Sequence, residues 1–156
     1  MSASRKAKPA PGSATYDGHN RFLPYVLNRV TSRLNADFQT ALRQRDMTLT
    51  HWRVLAFLNE TDGLGVSALA DCTVTDQSTL SRALQQMEKN RLVERRAGAA
   101  DSRFVEVHIT ATGRQLFADI IPLALQLRDR ALEGLADADR EHLLDLLSRI
   151  LDNLQP

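Results

Sequence analysis

Two short helical patterns stand almost end to end in the middle of the chain, and that spacing leaves few folds open. The first covers about residues 67–72, and the second begins near Asp76, three or four residues later. Leu80, Leu84 and Met87 recur at helical spacing, which predicts the buried side of the second helix. Two helices joined by so short a turn predict a helix-turn-helix unit.

A strand-like pattern follows the two helices. Residues 92–97 and 104–109 have the composition of strands, and the second run alternates apolar and polar side chains. The small-residue segment 98–102 between them predicts a hairpin turn. A helix-turn-helix followed by a hairpin is a winged helix, which we assign to residues 49–110.

Long amphipathic patterns flank this lobe on both sides. Within residues 22–47, apolar side chains recur every three or four positions. Residues 113–156 contain a long helix to about Gly134, bent at Pro122, and a last helix that starts near Asp137. The last helix carries too much apolar surface to leave in water, so we expect both flanking regions to be dimerisation helices. The predicted fold class is mainly α with a small β-hairpin wing.

The composition agrees with one folded domain over residues 16–156. The chain has 156 residues, of which 43% are hydrophobic, enough for an ordinary core. Residues 1–15 are basic and contain Pro and Gly, which predicts a disordered tail. The sequence lacks both the run of about 20 apolar residues that spans a membrane and the apolar centre of a signal peptide. We therefore expect a cytoplasmic protein with no membrane partner.

The sequence offers no pattern for catalysis or for a bound cofactor. Its four histidines and single cysteine are scattered rather than grouped at metal-ligand spacing. Its seven glycines form no phosphate-binding motif, and we find neither a nucleophile with its base nor paired catalytic carboxylates. We therefore expect no enzyme activity, no cofactor and no metal site.

Charge is distributed unevenly along the chain, although the whole carries a net charge of only +1. Residues 76–103 contain six basic and four acidic side chains, whereas residues 129–156 contain three basic and seven acidic ones. The central segment is therefore the one suited to a polyanion. Charge alone does not decide the matter, because such runs are often only solvated surface.

The outer face of the second short helix carries short hydrogen-bonding side chains and one long cation. In the major groove of DNA, Gln pairs with adenine, Arg with guanine, and hydroxyls with bases or phosphates. Arg95 and Arg96 in the hairpin suit phosphate contacts, with surface solubility as their alternative role. We therefore predict double-stranded DNA as the partner. The predicted base-reading residues are Gln77, Ser78, Thr79, Ser81, Arg82 and Gln85.

Three stretches are similar to the MarR family of bacterial regulators, and the similarity extends over residues 22–154. The stretches are residues 49–55 (LTHWRVL), residues 77–82 (QSTLSR), and residues 101–103 (DSR) with the Thr-x-x-Gly closure at residues 110–113. The chain departs from the family pattern at Ile109, where Leu is usual, and in the wing loop, where a proline is common.

The resemblance implies a homodimer that binds a pseudo-palindromic operator, with repression as the default output. It places Arg103 of the wing in the minor groove, where narrow A·T stretches concentrate negative potential. Asp101 would hold that guanidinium through a charge-assisted pair without binding DNA itself. The alternative function is a helical protein-interaction module that uses the winged helix only as a scaffold.

The resemblance also implies an effector site between the dimer helices and the winged helix, filled by a small aromatic acid. The candidate residues are Tyr25 and Arg29 on the first helix with His51 and Trp52 on the second. They offer a stacking face, a switchable donor and a cation for a carboxylate. For His51 and Trp52, ordinary packing is an equally good interpretation. Residues 16–29 further resemble repressors of nicotinic acid degradation within the family.

Cys72 is the single cysteine of the chain. Members of the family that sense oxidants carry the reactive cysteine in the first helix, whereas Cys72 lies at the end of the helix before the turn. We therefore expect an inert packing residue at this position.

Overall fold

The computed structural model describes Tyr16, residues 18–98 and residues 104–154. The chain divides into two compact units, residues 1–33 and residues 34–156, and helix α1 runs from one into the other. The helices are α1 Leu23–Arg43, α2 Leu49–Glu60, α3 Val66–Thr73, α4 Gln77–Lys89, α5 Ala111–Ala131 and α6 Asp137–Asn153. The strands are β1 Leu64–Gly65, β2 Val93–Ala97 and β3 Val105–Ile109.

These elements confirm the predicted fold class, a mainly helical chain with a small hairpin. The strands form an antiparallel sheet in the order β1-β3-β2. In the hairpin, Val93 lies opposite Ile109, and in the β1 pairing Leu64 lies opposite Val107. Strand β1 was not predicted, because two residues are too few to show an alternating pattern.

The hydrophobic core lies within the unit formed by residues 34–156. Helix α4 contributes the three side chains that the sequence predicted, Leu80, Leu84 and Met87, each at most 1% exposed. They pack in a cluster to which α1, α2, α3, the sheet and α5 also contribute. The other buried apolar residues are Phe38, Leu42, Met47, Val54, Leu55, Leu58, Leu69, Ala70, Leu92, Val93, Val107, Ile109 and Ile120.

Three helices of this unit begin with the same local interaction. The side chains of Thr48, Asp76 and Thr110 each accept a hydrogen bond from the backbone N–H three residues later, at 3.1, 2.9 and 3.0 Å. Such N-caps satisfy a donor that would otherwise lack a partner at the start of a helix. They set the starts of α2, α4 and α5.

The start of α5 is docked closely on the chain that leaves α4. Gly113 permits this close approach, because a Cβ atom there would lie 2.1 Å from the carbonyl oxygen of Leu92. The Thr110 hydroxyl donates to the carbonyl of Arg91 at 2.6 Å, and the Thr110 N–H donates to that of Leu92 at 3.1 Å. The Thr-x-x-Gly sequence therefore closes the hairpin onto the helical part of the lobe.

Helix α6 differs from the other helices because none of its residues is buried. Helix α5 before it ends at Ala131, slightly earlier than the predicted Gly134, and Pro122 lies inside it. None of the helices within the described residues is long and apolar enough to cross a membrane. The exposed leucines at the C-terminal end are Leu143 (40%), Leu144 (65%), Leu146 (40%), Leu151 (64%) and Leu154 (75%).

Candidate nucleic-acid interface and ligand cavity

Of the six predicted base-reading residues of α4, Ser78, Arg82 and Gln85 lie on the side of the helix away from its buried face. Thr79 and Ser81 flank the buried side, and Gln77 lies in the exposed first turn. Gln77, Ser78, Arg82 and Gln85 are exposed, while Thr79 and Ser81 are half-buried. Since Leu80, Leu84 and Met87 fix the opposite face in the core, the helix presents these polar groups from a rigid support. This arrangement suits a helix that enters a DNA groove.

Asp76 joins the first side chains of this surface into one network. Its Oδ1 accepts hydrogen bonds from the Ser78 hydroxyl at 2.6 Å and from the Thr79 N–H at 2.9 Å. Those bonds, the Ser78 hydroxyl foremost, lower the pKa of the Asp76 carboxyl far below its ordinary value. Arg82 donates to the Ser78 carbonyl at 3.3 Å. The sequence identified Asp76 only as a helix start, although the Asp-x-Ser-Thr spacing is that of an N-cap.

Both arginines predicted to contact phosphates are held in ion pairs on the surface. Arg95 Nη2 lies 2.6 Å from Glu88 Oε2, and this contact lowers the pKa of the Glu88 carboxyl. Arg96 pairs with Glu94 on the same strand. A phosphate would have to replace a carboxylate at each site, which reduces the net gain of binding there. The predicted wing contacts Asp101 and Arg103, like the tail of residues 1–15, lie outside the described residues.

Asp62 anchors the base of the hairpin to two helices. It follows the end of α2, and its Oδ1 accepts a hydrogen bond from the Ile109 N–H of β3 at 2.8 Å. Its Oδ2 lies 3.1 Å from Arg114 Nη2 of α5 and 3.7 Å from His108 Nδ1. Burial alone raises the pKa of Asp62, but the Ile109 and Gly63 amides with these two neighbouring side chains lower it overall.

The sequence did not identify this cluster, because its members lie about fifty positions apart and no local pattern links them. His108 also lies 3.4 Å from Glu106 Oε2, through its Nε2 atom. Within the described residues, no group of three or more His, Cys, Asp or Glu side chains is arranged to hold a metal ion. The cluster is thus an electrostatic tie between elements.

A cavity of about 380 Å³ opens among α1, α2, α5 and α6, wholly within the unit of residues 34–156. Trp52 forms an aromatic wall, stacked on Phe117 with ring centroids 5.1 Å apart and met edge-on by Phe38 at 5.3 Å. Two arginines are among the residues that line the cavity. The described lining residues are Leu34, Asn35, Phe38, Trp52, Ala124, Leu127, Arg128, Ala131, Leu132, Arg140, Leu143 and Leu144.

The predicted ligand residues are distributed differently in the structure. Trp52 lines the cavity, whereas His51 is buried and is not among the described lining residues. Burial lowers the pKa of His51, so its side chain is neutral at pH 7. Arg128 and Arg140, which line the cavity, were missed because their sequence context reads as an ordinary solvated helix surface.

Tyr25 and Arg29 belong to the unit of residues 1–33. The Arg29 guanidinium lies over the Tyr25 ring, 5.9 Å from its centroid, and donates to Asn20 Oδ1 at 3.2 Å. His19 meets the same tyrosine ring edge-on at 5.5 Å. Within this unit the structure thus brings the predicted aromatic ring and cation together, with two polar neighbours that the sequence did not single out.

The expectation for Cys72 is wrong, because its side chain is exposed rather than packed. It occupies the outward side of α3, while Leu69, Ala70 and Thr73 form the buried side. The error arose because cysteine is among the residue types most often buried, and the sequence of so short a helix does not define which side faces the core.

Comparisons with known proteins agree on one family. A MarR family model matches residues 45–103. The HTH-type transcriptional repressor IacR of Pseudomonas putida is 28% identical over 131 residues, 84% of this chain and 78% of that protein.

Solved structures of similar proteins give the same result. A MarR family transcriptional regulator from Silicibacter pomeroyi is 30% identical, with a TM-score of 0.82 over 88% of this chain and 93% of that one. Bordetella bronchiseptica BpsR, whose DNA binding is regulated by 6-hydroxynicotinic acid, is 25% identical. Its TM-score is 0.77 over 88% of this chain and 99% of that one.

Proposed function

Because this chain belongs to the MarR family of transcriptional regulators, we propose that it is a repressor that binds a pseudo-palindromic operator as a homodimer and is released by a small aromatic or heteroaromatic carboxylate. The family consists of regulators that bind DNA as dimers, and the chain is a regulator rather than an enzyme. The observation that supports the DNA-binding role is α4, whose apolar side is fully buried and whose polar side faces outward.

In this proposal α4 lies in the major groove and reads base edges with Gln77, Ser78, Thr79, Ser81, Arg82 and Gln85. Arg82 has the longest reach of the set, and its guanidinium matches the acceptors of guanine. Arg95 and Arg96 contact phosphates after exchanging their carboxylate partners. Arg103, oriented by Asp101, is proposed to contact the minor groove.

The exposed leucines of α6 support the proposed homodimer. Leu144, Leu151 and Leu154 are each more than 60% exposed, and side chains of this size are rarely left in water along a whole helix. A second copy that covers this face would bury it. A two-fold dimer also accounts for a palindromic operator, since it places two identical helices one turn of DNA apart.

The cavity beside Trp52 supports the effector. Its volume lies near the lower end of the range of small-molecule sites, which suits a single aromatic ring. The indole offers a stacking face, and Arg128 and Arg140 line the cavity. Each pairs with a carboxylate of its own, Asp129 at 2.6 Å and Asp137 at 3.6 Å, which the carboxylate of a ligand would replace. Arg140 also donates to the carbonyls of Leu132 and Leu135 at 3.2 and 3.1 Å, so it is held in place. Tyr25, Arg29 and His51 remain predicted contributors.

The DNA-binding part is tested by selecting sites from randomised duplexes at two salt concentrations. We expect a palindrome with half-site centres about 10 bp apart. Arg82→Ala should weaken binding by about 1–3 kcal/mol and relax selection at one position per half-site. Arg149→Ala on acidic α6 is the matched control and should bind as wild type does. Binding without any enriched motif would contradict the proposal.

The effector part is tested with 6-hydroxynicotinic acid and benzoate as probes, in thermal-shift and operator-release assays. We expect at least one probe to raise the melting temperature and to release DNA. Arg140→Gln and Arg128→Gln should each weaken these responses, whereas Arg149→Gln should leave them unchanged. Probes that act equally on all four proteins would exclude this cavity as the carboxylate site.

A further inference from the structure

The turn between α3 and α4 contains a valine in a conformation that valine strongly disfavours. Val74, directly after α3, has φ 51° and ψ 51°, in the left-handed region. This position at a helix end is normally glycine, because a Cβ atom there crowds the backbone, and a branched Cβ does so most. The Val74 side chain is also 86% exposed, so it gains almost no burial in return.

Hydrogen bonds on both sides hold this conformation in place. The N–H groups of Thr75 and Val74 donate to the carbonyls of Ala70 and Asp71 at 3.0 and 3.1 Å, which closes the end of α3. The Thr73 carbonyl accepts from Arg53 Nη1 and from the Thr75 hydroxyl, both at 3.1 Å. A strained residue persists only where its surroundings fix it in this way.

Two other helix ends in the chain show what is different at Val74. Asp46 after α1 and Arg91 after α4 are also left-handed, with φ 53° and 58°. Both are polar and unbranched at Cβ, and Asp tolerates this conformation better than most residues. Only at Val74, among these three, does the strained position carry an apolar, branched and exposed side chain.

The strain and the exposure together point to a contact outside the chain. Val74 lies two residues before Asp76, so its Cα is within about 8 Å of that N-cap along the backbone. Resting on the proposed function, we propose that Val74 is a specificity-determining residue that contacts the 5-methyl group of a thymine in the major groove. The polar residues of α4 read hydrogen-bonding groups, and this methyl is the apolar feature that the groove presents.

The test uses the full-length protein and the operator obtained by site selection. Each thymine is replaced singly by deoxyuridine, which lacks only the 5-methyl group, and affinity is measured by fluorescence anisotropy. For wild type, we expect one position per half-site to lose about fourfold in affinity, the value of one buried methyl group. For Val74→Gly and Val74→Asn, the unmodified operator should bind more weakly, and uracil at that position should cause no further loss.

Stability provides a second readout, with the opposite sign. Val74→Gly removes the strain and should raise the melting temperature by about 2–4 °C while it lowers operator affinity. Asp46→Gly is the matched control, since it relaxes a left-handed residue at another helix end and should leave the uracil profile unchanged. A Val74→Gly protein that melts below wild type would overturn the strain on which the proposal rests.

The two levels of the proposal fail differently. If wild type enriches no DNA motif, the proposed function is wrong and the Val74 contact is wrong with it. If wild type enriches a motif but all three proteins show the same uracil profile, only the Val74 contact is overturned. A uracil effect that is present in wild type and absent in both variants supports the contact, because it couples this side chain to that methyl.

Discussion

Helices α4 and α6 carry similar apolar patterns but have opposite burial. In α4, Leu80, Leu84 and Met87 are at most 1% exposed, whereas in α6 no residue is buried and Leu144 and Leu151 are more than 60% exposed. The proposed homodimer accounts for the difference, since a second copy would supply the surface that covers α6. A hydrophobic period predicts a helix and its apolar side, but it does not say which molecule covers that side.

The largest effect should come from truncating a buried side chain of α4. Leu84→Ala leaves a cavity in the core of the lobe and should lower the free energy of unfolding by about 2–5 kcal/mol. Urea denaturation followed by circular dichroism measures it. Leu146→Ala, at a position of α6 that is 40% exposed, is the control and should lower the free energy of unfolding clearly less. Equal losses for the two variants would remove the distinction between the helices.

Gly113→Ala tests whether the start of α5 is closely packed, as α4 is, or open, as α6 is. The new methyl group would collide with the Leu92 carbonyl, so we expect a loss of about 1–3 kcal/mol in the free energy of unfolding. Gly65→Ala, where nothing lies within 4 Å of the new atom, serves as the control. If both substitutions are tolerated equally in urea, α5 is not docked on the lobe as the structure has it.

The exposed face of α6 is tested by introducing charged side chains. Leu144→Glu combined with Leu151→Glu should raise the dimer dissociation constant by about 100-fold, since two carboxylates would be buried in the interface. Analytical ultracentrifugation measures it, and circular dichroism should show the lobe still folded. Arg149→Glu on the same helix controls for added negative charge. A double variant that stays dimeric at wild-type concentrations would place the dimer contact elsewhere.

The smallest effect concerns a buried residue, His51, and the pH dependence of the free energy of unfolding. Burial lowers the pKa of His51, so the unfolded chain takes up a proton at this residue before the folded chain does. The contribution of His51 to the free energy of unfolding is therefore fully present above about pH 6.5 and falls as the pH drops below that value. His51→Gln should flatten the decline between pH 7 and 5, measured by urea denaturation, and His142→Gln on exposed α6 should not. Parallel curves for both variants would contradict this assignment.

Local patterns predicted the parts of the molecule whose determinants are adjacent in sequence. The apolar spacing of Leu80, Leu84 and Met87, the two strands of the hairpin and the Thr-x-x-Gly closure could each be predicted from the sequence. What could not be predicted depends on contacts between distant segments. Asp62 contacts Ile109 and Arg114, about fifty residues away along the chain. Arg140 lines the cavity beside Trp52, although it lies in the charged first turns of α6.

The rotation of a short helix was a further limit. Cys72 was expected inside and lies outside, because eight residues of α3 contain too few apolar positions to define a face. The same limit hid Val74. The residue type of Val74 suggests a core position. Only the structure shows its strained backbone angles and its exposed side chain.

The tie at Asp62 has a mechanical consequence. One carboxylate links the end of α2 to strand β3 and to the first turn of α5, so a pivot of the hairpin relative to those two helices would break these contacts. Helices α2 and α5 also contribute residues to the lining of the cavity beside Trp52. A change in the spacing of α2 and α5 at the cavity would therefore be felt at Asp62, where strand β3 is held.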